Sequence, residues 1–134
     1  VDHVDFPIRV RYADTDKMGV VYYGTYPMYF EVGRSEYMRE KGFSYRSFED
    51  QGYFLAVSQI EIKYYNSALY DDLITVRTSI SDVQSRGVTF NYTIFRDDVT
   101  LVKGKTRHIC LNAEKKTTRI PAPLLEILKN DGSA

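Results

Sequence analysis

Asp14 and Asp16 lie two positions apart in the stretch Tyr12-Ala13-Asp14-Thr15-Asp16-Lys17-Met18-Gly19-Val20-Val21-Tyr22-Tyr23-Gly24. A run with helical periodicity follows. The head of a helix offers unpaired backbone N–H groups and a partial positive charge. A carboxylate able to attack a carbonyl or activate water, set beside N–H donors that can hold a developing oxyanion, is the minimum apparatus for acyl transfer. The same two aspartates could equally cap the helix or satisfy a turn, as Asp commonly does. Local chemistry leaves both readings open.

The positioning elements are visible in the periodicity. Residues 6–13 alternate Ile8, Val10 and Tyr12 against Arg9 and Arg11, which predicts a half-buried strand. Tyr22, Tyr26, Phe30, Gly33 and Tyr37 recur at helical spacing and predict one apolar stripe of a helix reaching about Lys41. Gly33 on that stripe predicts a close approach by another backbone, and Gly42 predicts the helix stop. A helical turn is expected around Tyr45–Asp50. Alternation then predicts strands at about 54–65, from about Ile74 to Ile80, at about 88–94 and at 100–112. The connections fall at Asp82–Gly87 and Arg96–Val99, and Gly104 is expected to be a bulge. Pro121 and Pro123 introduce a short helix over 124–128, and residues 130–134 are expected to be a mobile tail.

At 134 residues the chain reads as one domain, 1–134, with no internal repeat or linker. Eighteen basic and eighteen acidic residues give a formal net charge of zero, which removes the usual footprint of a nucleic-acid binder. Cys110 is the only cysteine, so no intrachain disulfide forms, and a reducing compartment fits. No apolar run reaches membrane-spanning length and residues 1–20 lack a secretory h-region. These features predict a cytoplasmic chain without membrane insertion. His3 and His108 are too few and too far apart for a histidine metal site, and Cys110 reads as a buried structural thiol. One helix cannot cover a five-stranded antiparallel sheet and its edges, so self-association is expected from geometry.

Tyr12-Ala13-Asp14-Thr15-Asp16, Gly19-Val20-Val21-Tyr22, Tyr26 and the helix through Glu31 and Arg34 resemble the signature of hotdog-fold acyl-CoA thioesterases. The nearest branch is the 4-hydroxybenzoyl-CoA thioesterase-like group, which includes the Tol–Pal-associated enzymes. The resemblance continues through Ala68-Leu69-Tyr70-Asp71-Asp72 and ends near Arg119-Ile120-Pro121. It implies an α+β hotdog fold, a curved five-stranded antiparallel sheet wrapped around one long helix, assembled as a homodimer or homotetramer with sites at the subunit interface. It implies hydrolysis of an acyl-CoA thioester to a free acid and coenzyme A, with no metal and no cofactor beyond the coenzyme A of the substrate. It puts the nucleophile or general base on Asp16 and an oxyanion donor on the backbone N–H of Tyr23. Gly19, Val21, Tyr22, Gly24 and Tyr26 fall in the substrate-binding stretch. Some relatives have His at the Tyr23 position. The aromatic thioesterase has basic residues clustered at the turn corresponding to Gln84-Ser85-Arg86, which points to Arg86, beside Gly87, for the phosphates of coenzyme A; an ordinary surface arginine beside a turn glycine is the alternative. A non-catalytic acyl-CoA-binding module and a hotdog dehydratase are the alternatives. The acid–histidine pair typical of the dehydratase is not visible.

Overall fold

The computed structural model describes residues 2–132. Five antiparallel strands, β1 (His3–Arg9), β2 (Phe54–Tyr64), β3 (Leu73–Gln84), β4 (Gly87–Arg96) and β5 (Val99–Leu111), form one sheet in the order β1-β3-β4-β5-β2. The long helix α1 (Tyr26–Glu40) lies on one face of this sheet, followed by α2 (Tyr45–Asp50), and α3 (Ala122–Gly132) closes the chain against β3. This is the hotdog arrangement implied by the motif resemblance.

The helix seats on the sheet through its aromatic stripe. Tyr26, Tyr29, Phe30, Gly33, Tyr37 and Met38 are its buried residues. Phe30 stacks on Tyr92 of β4 with centroids 4.2 Å apart and planes 5° from parallel. Burying such a side chain is worth roughly 1.5–3 kcal/mol. Two glycines make this contact possible. A Cβ on Gly104 would lie 2.6 Å from Phe30 Cζ, and one on Gly33 would lie 2.5 Å from Thr78 Oγ1 and 2.7 Å from Val76 Cγ1. Gly33 therefore makes room for side chains of β3, where the sequence suggested a backbone. Gly104 is no bulge: it pairs in register with Ile62 and Tyr92, and the irregularity of β5 falls opposite Ile94/Phe95. Helix α1 stops as expected. Gly42 has φ +87°, its N–H bonds the Arg39 carbonyl at 3.0 Å, and Phe43 N–H bonds Met38 O at 2.9 Å. That pair of bonds is a Schellman stop.

Three boundaries differ from expectation. Strand β1 ends at Arg9, because residues 12–14 turn into a short 3-10 helix and leave Tyr12 79 % exposed. The β3–β4 connection is a two-residue hairpin at Ser85-Arg86, with Gln84 paired to Gly87. The polar outer face of the end of β3, through Asp82 and Gln84, resembles a loop in sequence. Helix α3 runs on to Gly132, so Asn130–Gly132 of the expected mobile tail are helical, while Ser133 and Ala134 lie outside the described residues. Among the described residues no helix is long and apolar enough to cross a membrane.

Beneath α1 runs a buried polar chain. The Tyr92 hydroxyl and Thr106 Oγ1 are 2.6 Å apart, Thr106 Oγ1 and His108 Nε2 2.7 Å, and His108 Nδ1 and the Leu55 carbonyl 3.3 Å. Burial, reinforced by Arg34, pulls the His108 imidazole down to about 4, although Glu31 and Glu49 line the cavity it faces. Below pH 6.5 the unfolded chain takes up a proton that the folded chain refuses. From this group alone stability should fall by up to about 3 kcal/mol between pH 6.5 and 4. Denaturant midpoints measured across that range should decline more steeply for the wild type than for His108→Gln. Equal slopes would show that His108 stays ionisable in the fold. Cys110 is fully buried and its thiol is pushed up to about 11, which makes it the inert structural thiol expected from sequence.

Candidate active site

The two aspartates of the signature have separate environments. Asp14 is 3 % exposed. Its carboxylate accepts from Arg11 N–H (3.1 Å), Arg11 Nη2 (3.0 Å) and the Tyr29 hydroxyl (2.9 Å). Burial by itself would raise the carboxyl, but Arg11 and Tyr29 outweigh it and hold Asp14 below its ordinary value. Burial and the same carboxylate push the Tyr29 phenol up. The Asp14 carbonyl accepts from Tyr22 N–H at 2.9 Å and from Thr25 Oγ1 at 3.2 Å. Asp14 is thus the peg on which the entire loop hangs.

Asp16 starts a tight hairpin. Its N–H bonds the Val20 carbonyl at 2.9 Å, and its carbonyl accepts from Gly19 N–H at 3.0 Å. Gly19 has φ +79°, a left-handed conformation that favours glycine. Asp16 Oδ1 accepts from Met18 N–H at 2.8 Å, a local side-chain turn that fixes the carboxylate. Oδ2 has no hydrogen bond among the described residues and is available to a ligand. The hairpin is anchored by Val21 N–H to the Ala68 carbonyl at 2.9 Å and by the bridge between Val20 and Leu69.

Tyr23-Gly24-Thr25 form a separate 3-10 turn leading into α1, whose first residue is Tyr26. The apolar period begins at Tyr22, and this hides the break. Thr25 N–H is spent on the Tyr22 carbonyl at 2.8 Å. The N–H groups of Tyr23 and Gly24, the first two positions of the turn, have no intrahelical acceptor. The Tyr23 carbonyl accepts from the Tyr64 hydroxyl at 3.1 Å, so β2 steadies the turn from the other side.

Asp16, Val21, Tyr23 and Tyr26 line one cavity of about 360 Å³ together with Met18, Val20, Tyr64, Tyr65, Asn66 and Ser67. Tyr22 leans on the Tyr23 ring, with centroids 4.7 Å apart, and its phenol is pushed up by a hydrogen bond with Tyr23. A Cβ on Gly24 would lie 2.7 Å from the Tyr22 ring, so Gly24 makes room for that ring. The Tyr64–Ser67 wall escaped the sequence reading. It is contributed by a segment forty residues away, which looks like an ordinary strand end, and no local pattern announces it.

Arg86 and Gly87 are elsewhere. The Arg86 carbonyl accepts from Cys110 N–H at 2.9 Å, and Cys110 pairs with Leu55 at the start of β2, whereas Tyr64 at its end lines the Asp16 cavity. Nine residues of strand separate those ends, about 30 Å at the usual rise. Arg86 is exposed at the hairpin tip, but Gly87 is buried, and a Cβ there would lie 2.8 Å from the His108 carbonyl of β5. Gly87 makes room for strand pairing. Among the described residues no cluster of three or more His, Cys, Asp or Glu side chains could hold a metal ion.

A curved sheet around a single long helix, with an acidic hairpin and a free turn at the helix head, defines a hotdog protein of the thioesterase type. Residues 10–128 match the family model of the Thioesterase-like superfamily, and the chain belongs to that family. An acyl-CoA thioesterase of Haemophilus influenzae is 35 % identical over 111 residues, covering 82 % of each chain. Among solved structures, a DHNA-CoA thioesterase of Staphylococcus aureus superposes with a TM-score of 0.90 at 31 % identity, covering 96 % of this chain and 89 % of that one. A hypothetical protein of Thermus thermophilus gives 0.92 at 32 % identity, covering 95 % and 98 %.

Proposed function

We propose that the chain, one hotdog domain over 1–134, hydrolyses acyl-CoA thioesters in the cytoplasm, using Asp16 and the turn at Tyr23. The class, acyl-CoA thioester hydrolase, rests on the family and on relatives named for that activity. The observation that carries the assignment of residues is the meeting of a free carboxylate oxygen of Asp16 with the Tyr23 turn in one cavity. A thioester carbonyl placed there would point its oxygen at the Tyr23 and Gly24 N–H groups. Asp16 either adds to the carbonyl carbon or takes the proton of an attacking water. In the first route the C–S bond breaks, the thiolate leaves and water cleaves the mixed anhydride. In the second, the tetrahedral adduct collapses with loss of the same thiolate. Both routes yield the acid and coenzyme A. The thiolate is a good leaving group, so neither route calls for a metal. The dehydratase alternative needs a histidine at the acid, and His108 is buried beneath α1, held by Thr106 and the Leu55 carbonyl rather than presented to a site.

A second copy of the chain completes the site in this reading. Strand β2 is a sheet edge with Val57 49 % and Ile60 43 % exposed on it. Such an edge is a template for pairing with another chain. Two β2 strands paired antiparallel bring the Arg86 end of one copy toward the Asp16 end of the other. The chain should therefore sediment as a dimer or tetramer, and an active monomer would contradict this. Arg86→Ala should raise KM for acyl-CoA with kcat little changed, and should leave an acyl-N-acetylcysteamine untouched. Mixed dimers of Arg86→Ala and Asp16→Asn chains should regain sites with wild-type KM, because one site then receives both intact residues. Mixed dimers with only the Arg86→Ala KM would place Arg86 in the same chain's site or outside any site.

A further inference from the structure

Three tyrosines meet edge to face around the head of α1. The Tyr64 and Tyr26 ring centroids are 5.6 Å apart, and those of Tyr26 and Tyr29 are 5.8 Å apart. Each ring puts its hydroxyl on a different part of the loop. Tyr29 holds Asp14 Oδ2, and Tyr26 meets the backbone of Ala68, whose carbonyl anchors Val21 N–H. Tyr64 donates to the Tyr23 carbonyl at 3.1 Å. This last bond answers a need that the sequence creates. The α-helical donor to the Tyr23 carbonyl would be the N–H of residue 27, four positions on. Residue 27 is Pro27, which has no N–H. The Tyr64 hydroxyl, brought in from the end of β2, takes that donor's place.

We propose that Tyr64 is a positioning residue for the oxyanion site, its hydroxyl fixing and strengthening the Gly24 N–H as a donor to the thioester oxygen. This rests on the hydrolase reading above. The Tyr23 carbonyl and the Gly24 N–H belong to one peptide unit, planar by resonance, so holding the carbonyl aims the N–H. A hydrogen bond accepted by the carbonyl also draws electron density from the nitrogen. The N–H becomes a better donor, and hydrogen bonds chained in this way strengthen by roughly 10–30 % each. The neighbouring donor is built alike. Tyr23 N–H shares its peptide with the Tyr22 carbonyl, which accepts from Thr25 N–H at 2.8 Å. Both N–H groups therefore sit on peptides whose carbonyls are already bonded, and neither donates to a protein acceptor among the described residues. Donors held in advance cost no reorganisation when charge develops on the oxygen. Tyr64 lines the same cavity as Asp16, so one tyrosine of β2 joins the sheet to the reacting groups.

The experiment begins with Tyr64→Phe, which keeps the ring against Tyr26 and removes only the hydroxyl. Losing an oxyanion donor outright slows catalysis by roughly 10²–10³, and losing its support should lower kcat by about 3- to 10-fold. The fall should be equal on acyl-CoA and on the matching acyl-N-acetylcysteamine, with KM and Tm held, the signature of an interaction made in the transition state. Replacing Tyr64 by p-aminophenylalanine restores an N–H donor and should recover part of kcat. A second readout is the infrared carbonyl band of a thioester bound to Asp16→Asn, which turns over too slowly to consume it. Adding Tyr64→Phe should move that band to higher frequency, because the carbonyl is less polarised. Unchanged kcat and an unmoved band would overturn the proposal while leaving the hydrolase reading intact. A fall in kcat with a lower Tm and no recovery by the amine would overturn it in favour of a structural role. A wild-type chain that hydrolyses no thioester but shows the Tyr64-dependent band would uphold the donor and sink the hydrolase reading instead.

Discussion

Asp16→Asn should lower kcat by about 100-fold or more, in the range for losing a general base, and leave the fold intact. The amide keeps an oxygen that accepts from Met18 N–H, so the hairpin and its Gly19 turn persist. The lost property is the negative charge of the carboxylate, and with it both nucleophilicity and proton affinity. Because Asp16 carries no ion pair among the described residues, its neutralisation costs little stability. Tm should be unchanged or slightly higher, as functional sites often trade stability for activity. Wild-type turnover in Asp16→Asn would remove the catalytic assignment whatever the fold.

Asp14→Asn should produce the opposite pattern, with stability lost first and rate second. The carboxylate is buried against Arg11 and the Tyr29 hydroxyl, and an amide cannot accept from all of them. Arg11 is largely exposed, so solvent screens part of the ion pair. The remaining loss, mainly of buried hydrogen bonds, is about 2 kcal/mol, or a Tm lower by roughly 5–10 °C. The pH dependence follows from the lowered carboxyl. Asp14 stabilises the fold above its unfolded value near 4, and this contribution disappears as pH falls through the lower folded value. The stability gap between wild type and Asp14→Asn should therefore be full at neutral pH and close on acidification. A gap that stayed constant down to strongly acid pH would show that the carboxylate charge is not what Asp14 contributes. Activity should suffer modestly, since the Asp14 carbonyl holds Tyr22 N–H and Thr25 Oγ1 at the turn.

Part of the fold is legible in the sequence, for reasons that are local. The short helix at Tyr45–Asp50 and the stop at Gly42 follow from caps and periodicity that act within one or two turns. Turn chemistry alone leaves Asp14 and Asp16 undivided; it is the family resemblance that puts the catalytic carboxylate on Asp16. Non-local features were less legible. The 3-10 turn at Tyr23–Thr25 is hidden because Tyr22 falls on the helical period without being helical. Gly104 looks like a bulge residue, yet its role is to admit Phe30 from another element. Tyr64, Tyr65, Asn66 and Ser67 enter the cavity because β2 returns its end to the acidic hairpin. The remoteness of Arg86 depends on which end of the sheet each loop occupies, which composition and spacing do not encode.

Release of free thiol from a panel of acyl-CoA thioesters, varied in chain length and in aromatic character, tests the central claim most directly. The wild-type chain should liberate coenzyme A and the matching acid in equal amounts from at least one member, with Asp16→Asn as the silent control. The tyrosines around the cavity are exposed, Tyr23 to 65 %, and the panel reads out which acyl group they accept. Negligible thiol release across the entire panel, with the thioesters recovered intact from bound protein, would contradict hydrolysis and point to a binding module instead.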